Sequence, residues 1–218
     1  KKRIALLARD RLGIKPLYYA NTGRELVFAS ELKSVLTSGL VDTDLDFAAI
    51  DSYLSLGFVP APRTPLVGVR KLLPGEQLTV EDGSVRLERY WEFPTPSAQR
   101  QPARSESEWA DELLNLLEES VRLRLMADVP LGAMLSGGLD STITSILAAQ
   151  QSPHTLRTFS IAFEDPALDE RSYQEVVARA VGSMHLVEMA GVRDVAACFP
   201  EVVRHAETPL VRTAPAPR

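Results

Sequence analysis

The sequence has very little cysteine: its 218 residues include a single one, Cys198. One thiol cannot form a disulfide framework within the chain, and it cannot build a metal site from several thiolates. Low cysteine use fits a reducing compartment, so the sequence favours a cytoplasmic location. Cys198 itself lies in an apolar helical run and is predicted to be a small buried hydrophobic residue.

Long hydrophobic runs and basic stretches are also absent from the sequence. No apolar run approaches the roughly 20 residues that a transmembrane helix needs, so no membrane partner is expected. The net charge of -5, without a basic run or an interleaved aromatic stripe, gives no indication of nucleic-acid binding. An apolar fraction of 45% and a charged fraction of 24% are typical of a globular protein with one large or two modest domains.

The most informative stretch runs from Leu131 to Leu147 and reads LGAMLSGGLDSTITSIL. The apolar residues before Ser136 predict a buried parallel strand, the two glycines a tight turn, and the pattern from Asp140 a helix pointing its N-terminus at that turn. Such a turn favours phosphate or pyrophosphate through its backbone N–H groups and the helix dipole. It lacks the lysine of a Walker loop and the third glycine of a dinucleotide fingerprint, so neither of those sites fits.

Strands and helices alternate from residue 131 onward. The predicted strands are 131–135, 158–163 and 185–189, and the predicted helices are 141–150, 172–181 and 193–205. This order predicts βαβ units in a doubly wound parallel α/β sheet, which binds ligands at the carboxyl ends of its strands. A helix before them, from the capping box of Ser105 and Glu108 to about Ala127, is predicted to pack an apolar stripe on a sheet.

Residues 1–93 predict a different, α+β architecture. The predicted strands are a buried one at 4–8, two more at 17–20 and 26–29, and a hairpin of 78–80 with 85–87 around an Asp-Gly turn. Helices are predicted at 31–36, capped by Ser30, and at about 47–56. Residues 94–104 contain three prolines and no apolar periodicity, which indicates a linker between domains 1–93 and 105–218.

Both halves resemble parts of one protein family. SGGLDS, with FSIAF at 159–163, LDE at 168–170 and ETP at 207–209, is similar to the synthetase domain of glutamine-hydrolysing asparagine synthetases, which is of the ATP pyrophosphatase type. ARDRLGIKPLYY at 8–19, FASELK at 28–33, KLLPG at 71–75 and RYW at 89–91 resemble the later part of the N-terminal-nucleophile glutaminase sandwich of class II amidotransferases. The resemblance implies an ATP-dependent carbon-nitrogen ligase that uses glutamine and aspartate, and it is compatible with a homodimer.

The resemblance assigns Asp10 to the substrate glutamine, whose α-ammonium group its carboxylate would hold. A charge-assisted hydrogen bond of this kind is worth about 1.5–3 kcal/mol. Without the resemblance, an aspartate in such a loop is more often a turn former or a member of a surface ion pair.

In the second domain the resemblance assigns pyrophosphate binding to Ser136, Gly137, Gly138 and Ser141. Asp140 would hold magnesium, because a cation between carboxylate and phosphates removes the repulsion between like charges. An N-cap role for Asp140 is an equally good and compatible explanation. The backbone at Leu135 and Ile161 would flank the adenosine of ATP. Asp128 and Glu207 also match the family, and structural roles are expected for both.

The family's glutaminase nucleophile, an N-terminal cysteine, has no counterpart in this sequence, where position 1 is lysine and Cys198 belongs to the other half. A second acidic loop at the phosphates would lie beyond Arg218. We therefore expect a fragment that contains no catalytic nucleophile and is inactive by itself. Two alternatives stay open: a related enzyme with another carboxylate acceptor, and a non-catalytic nucleotide-binding remnant.

Overall fold

The computed structural model describes residues 4–95 and 104–210. Contacts divide the described residues into two compact units. The first contains residues 4–95 and 199–210, and the second contains residues 104–198. Most of the predicted linker, residues 96–103, lies outside the described residues. Residues 199–210 belong to the predicted second domain but group with the first unit, so the domain bounds remain a prediction.

The first unit contains two antiparallel sheets and two helices. Its elements are β1 Ile4–Ala8, β2 Tyr18–Asn21, β3 Leu26–Ala29, α1 Leu32–Thr37, α2 Phe47–Leu56, β4 Arg70–Lys71, β5 Glu76–Glu81 and β6 Ser84–Arg89. The strand order is β1-β5-β6 in one sheet and β3-β2-β4 in the other. Most of these bounds match the predicted ones to within a few residues.

The two sheets are held together by their alternating side chains. Leu7 and Leu78 from one sheet pack with Tyr19 and Leu26 from the other. Tyr18 lies on the opposite face of β2, where it packs in a second core with helix α1, because successive side chains of a strand point to opposite faces. The unit is therefore layered as sheet, sheet and helix.

Two details of the first unit differ from the prediction. Ile4–Ala8 is a strand, but only Leu7 in it is buried, because Ile4 and Leu6 point to the opposite face of the sheet and are exposed there. Ser30 does not cap α1: the N-cap residue is Glu31, and the first N–H groups of the helix, at Leu32 and Lys33, donate to the Glu207 carboxylate at 2.6 and 2.8 Å. A partner 175 residues away leaves no local signal.

The second unit is built on a parallel sheet with the strand order β7-β8-β9. Its elements are α3 Glu106–Arg124, β7 Gly132–Met134, α4 Leu139–Gln151, β8 Arg157–Phe163, α5 Arg171–Val181, β9 Met184–Ala190 and the start of α6 Val192–Ala206. Strands β7 and β8 pair from Gly132 with Arg157 onward, and β8 pairs with β9 along its whole length. The predicted βαβ units are present, and the carboxyl end of β7 lies opposite Phe159 in the middle of β8.

Helix α3 confirms its predicted start and corrects its predicted packing. Ser105 and Glu108 form the capping box, each side chain bonding the other residue's backbone N–H. None of the residues of α3 is buried, although the helix carries the expected apolar stripe, and its main neighbour is α4. The prediction that this stripe packs on a sheet is therefore wrong.

Candidate functional site

The SGG turn begins where β7 stops pairing with β8. Leu135 is 1% exposed, and its N–H donates to the carbonyl of Phe159 at 2.8 Å, so this residue remains attached to the sheet. Gly137 then adopts φ +83°, a conformation that disfavours every residue with a side chain. A Cβ at Gly137 would lie 2.9 Å from the Cβ of Tyr173, which leaves no space for one. The sequence thus needs glycine at 137 for both backbone geometry and packing.

Two hydroxyl groups meet inside this turn. The Oγ atoms of Ser136 and Ser141 are 3.0 Å apart, and the Oγ of Ser141 also donates to the carbonyl of Gly138 at 3.1 Å. The N–H of Ser136 donates to the Oγ of Ser141 at 3.3 Å. Helix α4 therefore brings the two serines of SGGLDS to the same point.

The N-terminus of α4 remains open to a ligand. Gly138 is the N-cap residue, and no side chain of the described residues caps this end of the helix. First-turn N–H groups without a cap need another acceptor, and the helix dipole makes that acceptor favourable when it is an anion. The turn and helix therefore fit a phosphate or pyrophosphate group.

Asp140 lies in the first turn of α4, where its side chain is exposed. The N-cap role considered for it is wrong, because Gly138 occupies that position in an extended conformation. Within residues 4–95 and 104–210 no three His, Cys, Asp or Glu side chains cluster as a metal site. One carboxylate beside bound phosphates nevertheless suits Mg²⁺, which commonly takes one or two carboxylates together with phosphate oxygens.

Of the two residues predicted to flank adenosine, Leu135 directly follows β7, and Ile161 lies two residues before the end of β8. Ser160 donates from its hydroxyl to the carbonyl of Leu135, and Gln174 donates from Nε2 to the carbonyl of Ile161 at 3.1 Å. Sequence reasoning missed both donors. Gln174 stands four residues before Ala178 on the buried face of α5, so a polar residue on an otherwise apolar stripe was the available signal.

Asp10 organises the loop that follows β1. Its carboxylate accepts the N–H groups of Leu12, Ile14 and Lys15 at 3.1, 2.9 and 3.0 Å. The bonds from Lys15 and Ile14 are the main reason why the pKa of the Asp10 carboxyl is lowered. This geometry accounts for the turn-forming role, and it keeps an exposed carboxylate ionised for a cationic group.

The separate motifs of the first half converge on this loop. Arg9 donates to the carbonyls of Gly13, Lys15 and Leu72. The N–H of Gly75 donates to the carbonyl of Asp10 at 3.1 Å, and the hydroxyl of Tyr90 donates to the carbonyl of Arg9. RDRLG, KLLPG and RYW therefore form one hydrogen-bonded structure around Asp10.

The remaining residues of interest have structural contacts. Asp169 accepts from the backbone and the guanidinium of Arg171 at the start of α5. Glu207 is the carboxylate that holds the N-terminus of α1, in agreement with its expected structural role. Cys198 is half-buried on α6, where its thiol donates to the carbonyl of Val195, so it is less buried than predicted.

Comparison with known proteins finds one family model in each half of the chain. A glutamine amidotransferase domain model matches residues 1–91, and an asparagine synthase model matches residues 112–218. The chain belongs to the glutamine-hydrolysing asparagine synthetase family. It is 33% identical to asparagine synthetase 1 of Bacillus subtilis over 96% of the chain and 32% of the relative.

Two further relatives show the breadth of this similarity. A putative asparagine synthetase of Methanocaldococcus jannaschii is 34% identical over 85% of the chain and 36% of the relative. Amidase chyE of Penicillium rubens is 31% identical over 96% of the chain and 33% of the relative. The chain thus spans about a third of the length of these curated relatives.

Among its described residues, no helix is long and apolar enough to cross a membrane.

Replacing Asp10 by asparagine is expected to raise the KM for glutamine in the glutaminase reaction of the full-length protein. The loss of one charge-assisted hydrogen bond predicts an increase of about 10- to 100-fold. Because the pKa of Asp10 is lowered, the difference from wild type should persist from pH 8 down to about pH 5, where an aspartate carboxylate is ionised. Glutaminase rates measured against glutamine concentration check this.

The matched control for this prediction is Asp42→Asn. The Asp42 carboxylate also accepts a backbone N–H in a loop of the first unit, that of Asp44 at 2.9 Å, so it tests loop damage without the proposed ligand role. Equal values of KM for Asp10→Asn and wild type would contradict the assignment of Asp10 to glutamine.

Proposed function

We propose that the full-length protein converts aspartate to asparagine, using ATP and taking nitrogen from glutamine. The observation that carries this proposal is the SGG turn, where uncapped N–H groups and two hydroxyls converge in a parallel α/β unit. The first unit adds independent support to the proposal, because it matches a glutamine amidotransferase domain. An ATP site joined to a glutaminase fold supports glutamine-dependent amide synthesis.

In the proposed glutaminase half, the fold is the later part of an N-terminal-nucleophile sandwich. The sheet-on-sheet core around Leu7 and Leu78 supports this assignment. The Asp10 carboxylate would hold the α-ammonium group of glutamine. A cysteine of the full-length protein would attack the side-chain amide, form a thioester and release ammonia, after which water would hydrolyse the thioester.

In the proposed synthetase half, the side-chain carboxylate of aspartate attacks the α-phosphorus of ATP, and pyrophosphate leaves. Ser136, Gly137, Gly138 and Ser141 would donate hydrogen bonds to the pyrophosphate, on which negative charge develops. Magnesium, held by Asp140 and the phosphates, would neutralise part of that charge. Backbone groups at Leu135 and Ile161 would flank the adenosine. Ammonia then attacks the acyl adenylate, and AMP leaves.

The larger organisation is proposed on the same basis. The chain would contribute residues 1–93 to the glutaminase domain, 94–104 to a linker and 105–218 to the start of a doubly wound ATP pyrophosphatase domain. The family supports a cytoplasmic location, and a homodimer is compatible with it.

The name of one relative favours a second candidate acceptor. Amidase chyE is named as an amidase, and it matches as much of the chain as the Bacillus relative does. No residue that the structure places at the SGG turn distinguishes aspartate from another carboxylic acid. A related enzyme that amidates a different acid therefore remains the alternative.

ATP–pyrophosphate exchange by the full-length protein distinguishes these acceptors. Exchange is expected with aspartate and not with glutamate, succinate or no acid, because only the correct carboxylate forms the acyl adenylate. Exchange that is supported by another acid and not by aspartate would replace the first proposal by the second. Exchange with none of a broad panel of acids would favour a non-catalytic remnant.

A further inference from the structure

Gln174 is a buried polar residue on α5, next to the SGG turn. Gln174 is only 2% exposed to solvent. Its Nε2 donates to the carbonyl of Ile161, 3.1 Å away on β8. No substrate role follows from this position, because a side chain so deeply buried does not reach the surface on which ATP would lie.

The same residue also contacts the turn itself. A Cβ placed on Gly137 would lie 3.3 Å from the backbone nitrogen of Gln174 and 3.5 Å from its Cγ. Gln174 thus packs against the pyrophosphate part of the proposed site and hydrogen-bonds to the adenosine part. Contacts of Gln174 therefore connect these two parts.

The other end of the Gln174 amide has no partner among the residues that the structure describes. Its Oε1 is buried and accepts no hydrogen bond from any described residue. A buried acceptor in this state destabilises the fold, and an apolar side chain of similar shape would avoid that cost. Stability alone therefore does not require an amide at 174, whereas its donor is used at the candidate site, where it binds the carbonyl of Ile161.

We propose that Gln174 is a positioning residue for ATP, which fixes the SGG turn relative to Ile161 on β8. This inference rests on the proposed nucleotide site. Its hydrogen bond to Ile161 holds this part of β8 against the turn, so that adenosine and pyrophosphate are bound at a fixed separation. Loss of the bond should weaken ATP binding and leave the glutaminase half unaffected.

The test variant is Gln174→Met, which keeps the length of the side chain but removes both the donor and the unpartnered acceptor. In the full-length protein, the KM for MgATP in the exchange reaction is expected to rise about tenfold, the effect of one lost hydrogen bond. The kcat should change less than KM, and calorimetric titration with MgATP should show the same weakening. Glutaminase activity should equal that of wild type, and the thermal midpoint should hold or rise.

The chain offers a closely matched control in Gln151→Met. Gln151 also donates from Nε2 to a backbone carbonyl, that of Glu118 at 3.1 Å, and its Oε1 is likewise buried without a partner among the described residues. Gln151 lies at the C-terminal end of α4, whereas the SGG turn precedes the N-terminal end of the same helix. This variant should bind MgATP like wild type.

Each outcome bears on a different claim. Weaker binding in Gln174→Met alone supports the positioning role. If Gln174→Met binds MgATP like wild type, or if both variants lose affinity equally, the positioning role is wrong. The proposed nucleotide site survives either result, provided that the wild-type protein binds MgATP. If wild-type protein fails to bind MgATP, the proposed function fails, and the inference fails with it.

Discussion

Gly137→Ala is expected to lower ATP–pyrophosphate exchange by the full-length protein about a hundredfold or more. Gly137 has φ +83°, and an added Cβ would lie 2.9 Å from the Cβ of Tyr173, so the turn must move. The N–H groups and hydroxyls arranged around pyrophosphate would then lose their alignment. Losing one such donor to a developing charge costs about 100- to 1000-fold in rate. Exchange rates at saturating ATP and aspartate measure this effect.

Gly182→Ala separates backbone strain from damage to the site. Gly182 has φ +67°, but an added Cβ there would meet no atom within 4 Å. Both alanines should destabilise the protein by roughly 1 kcal/mol through their backbone conformation. Exchange should survive in Gly182→Ala, and similar losses of exchange in both variants would contradict a specific role for the SGG turn.

Asp140→Ala is expected to abolish aspartate-dependent exchange and to leave glutaminase activity measurable. The exposed carboxylate in the first turn of α4 is the described group best placed to share a cation with phosphates at the turn. Metal stabilisation of the leaving phosphates is worth several kcal/mol, and every 1.4 kcal/mol is about a factor of ten in rate. Parallel assays of exchange and of glutamine hydrolysis separate the two activities.

Asp111→Ala is the matched control, since Asp111 is an exposed carboxylate on α3 in the same unit. Its exchange rate should equal that of wild type. Persistent exchange in Asp140→Ala would show that the cation is held elsewhere and would remove Asp140 from the site.

Local patterns predicted the element types well, because each depends on nearby residues. The capping box at Ser105 and the Asp82-Gly83 turn of the β5–β6 hairpin are encoded within four residues, and both are present. The SGG turn was predictable for the same reason: glycine at 137 is required by backbone geometry.

Contacts between distant residues could not be predicted in this way. Glu207 holds the N-terminus of α1, and Ser160 and Gln174 donate to the carbonyls of Leu135 and Ile161. Each pair depends on how elements pack, and no sequence spacing encodes that. The exposed stripe of α3 failed as a prediction for a related reason, since amphipathic periodicity gives the apolar face and not its neighbour.

The most direct test of the proposed function follows nitrogen and phosphate together. Full-length protein would be incubated with MgATP, aspartate and glutamine labelled with ¹⁵N in the side-chain amide. The proposed function predicts asparagine labelled in its amide, with AMP and pyrophosphate formed in amounts equal to the asparagine. Formation of ADP and phosphate in place of AMP and pyrophosphate would contradict the proposed function. Accumulation of AMP without any ¹⁵N-labelled asparagine would contradict it as well.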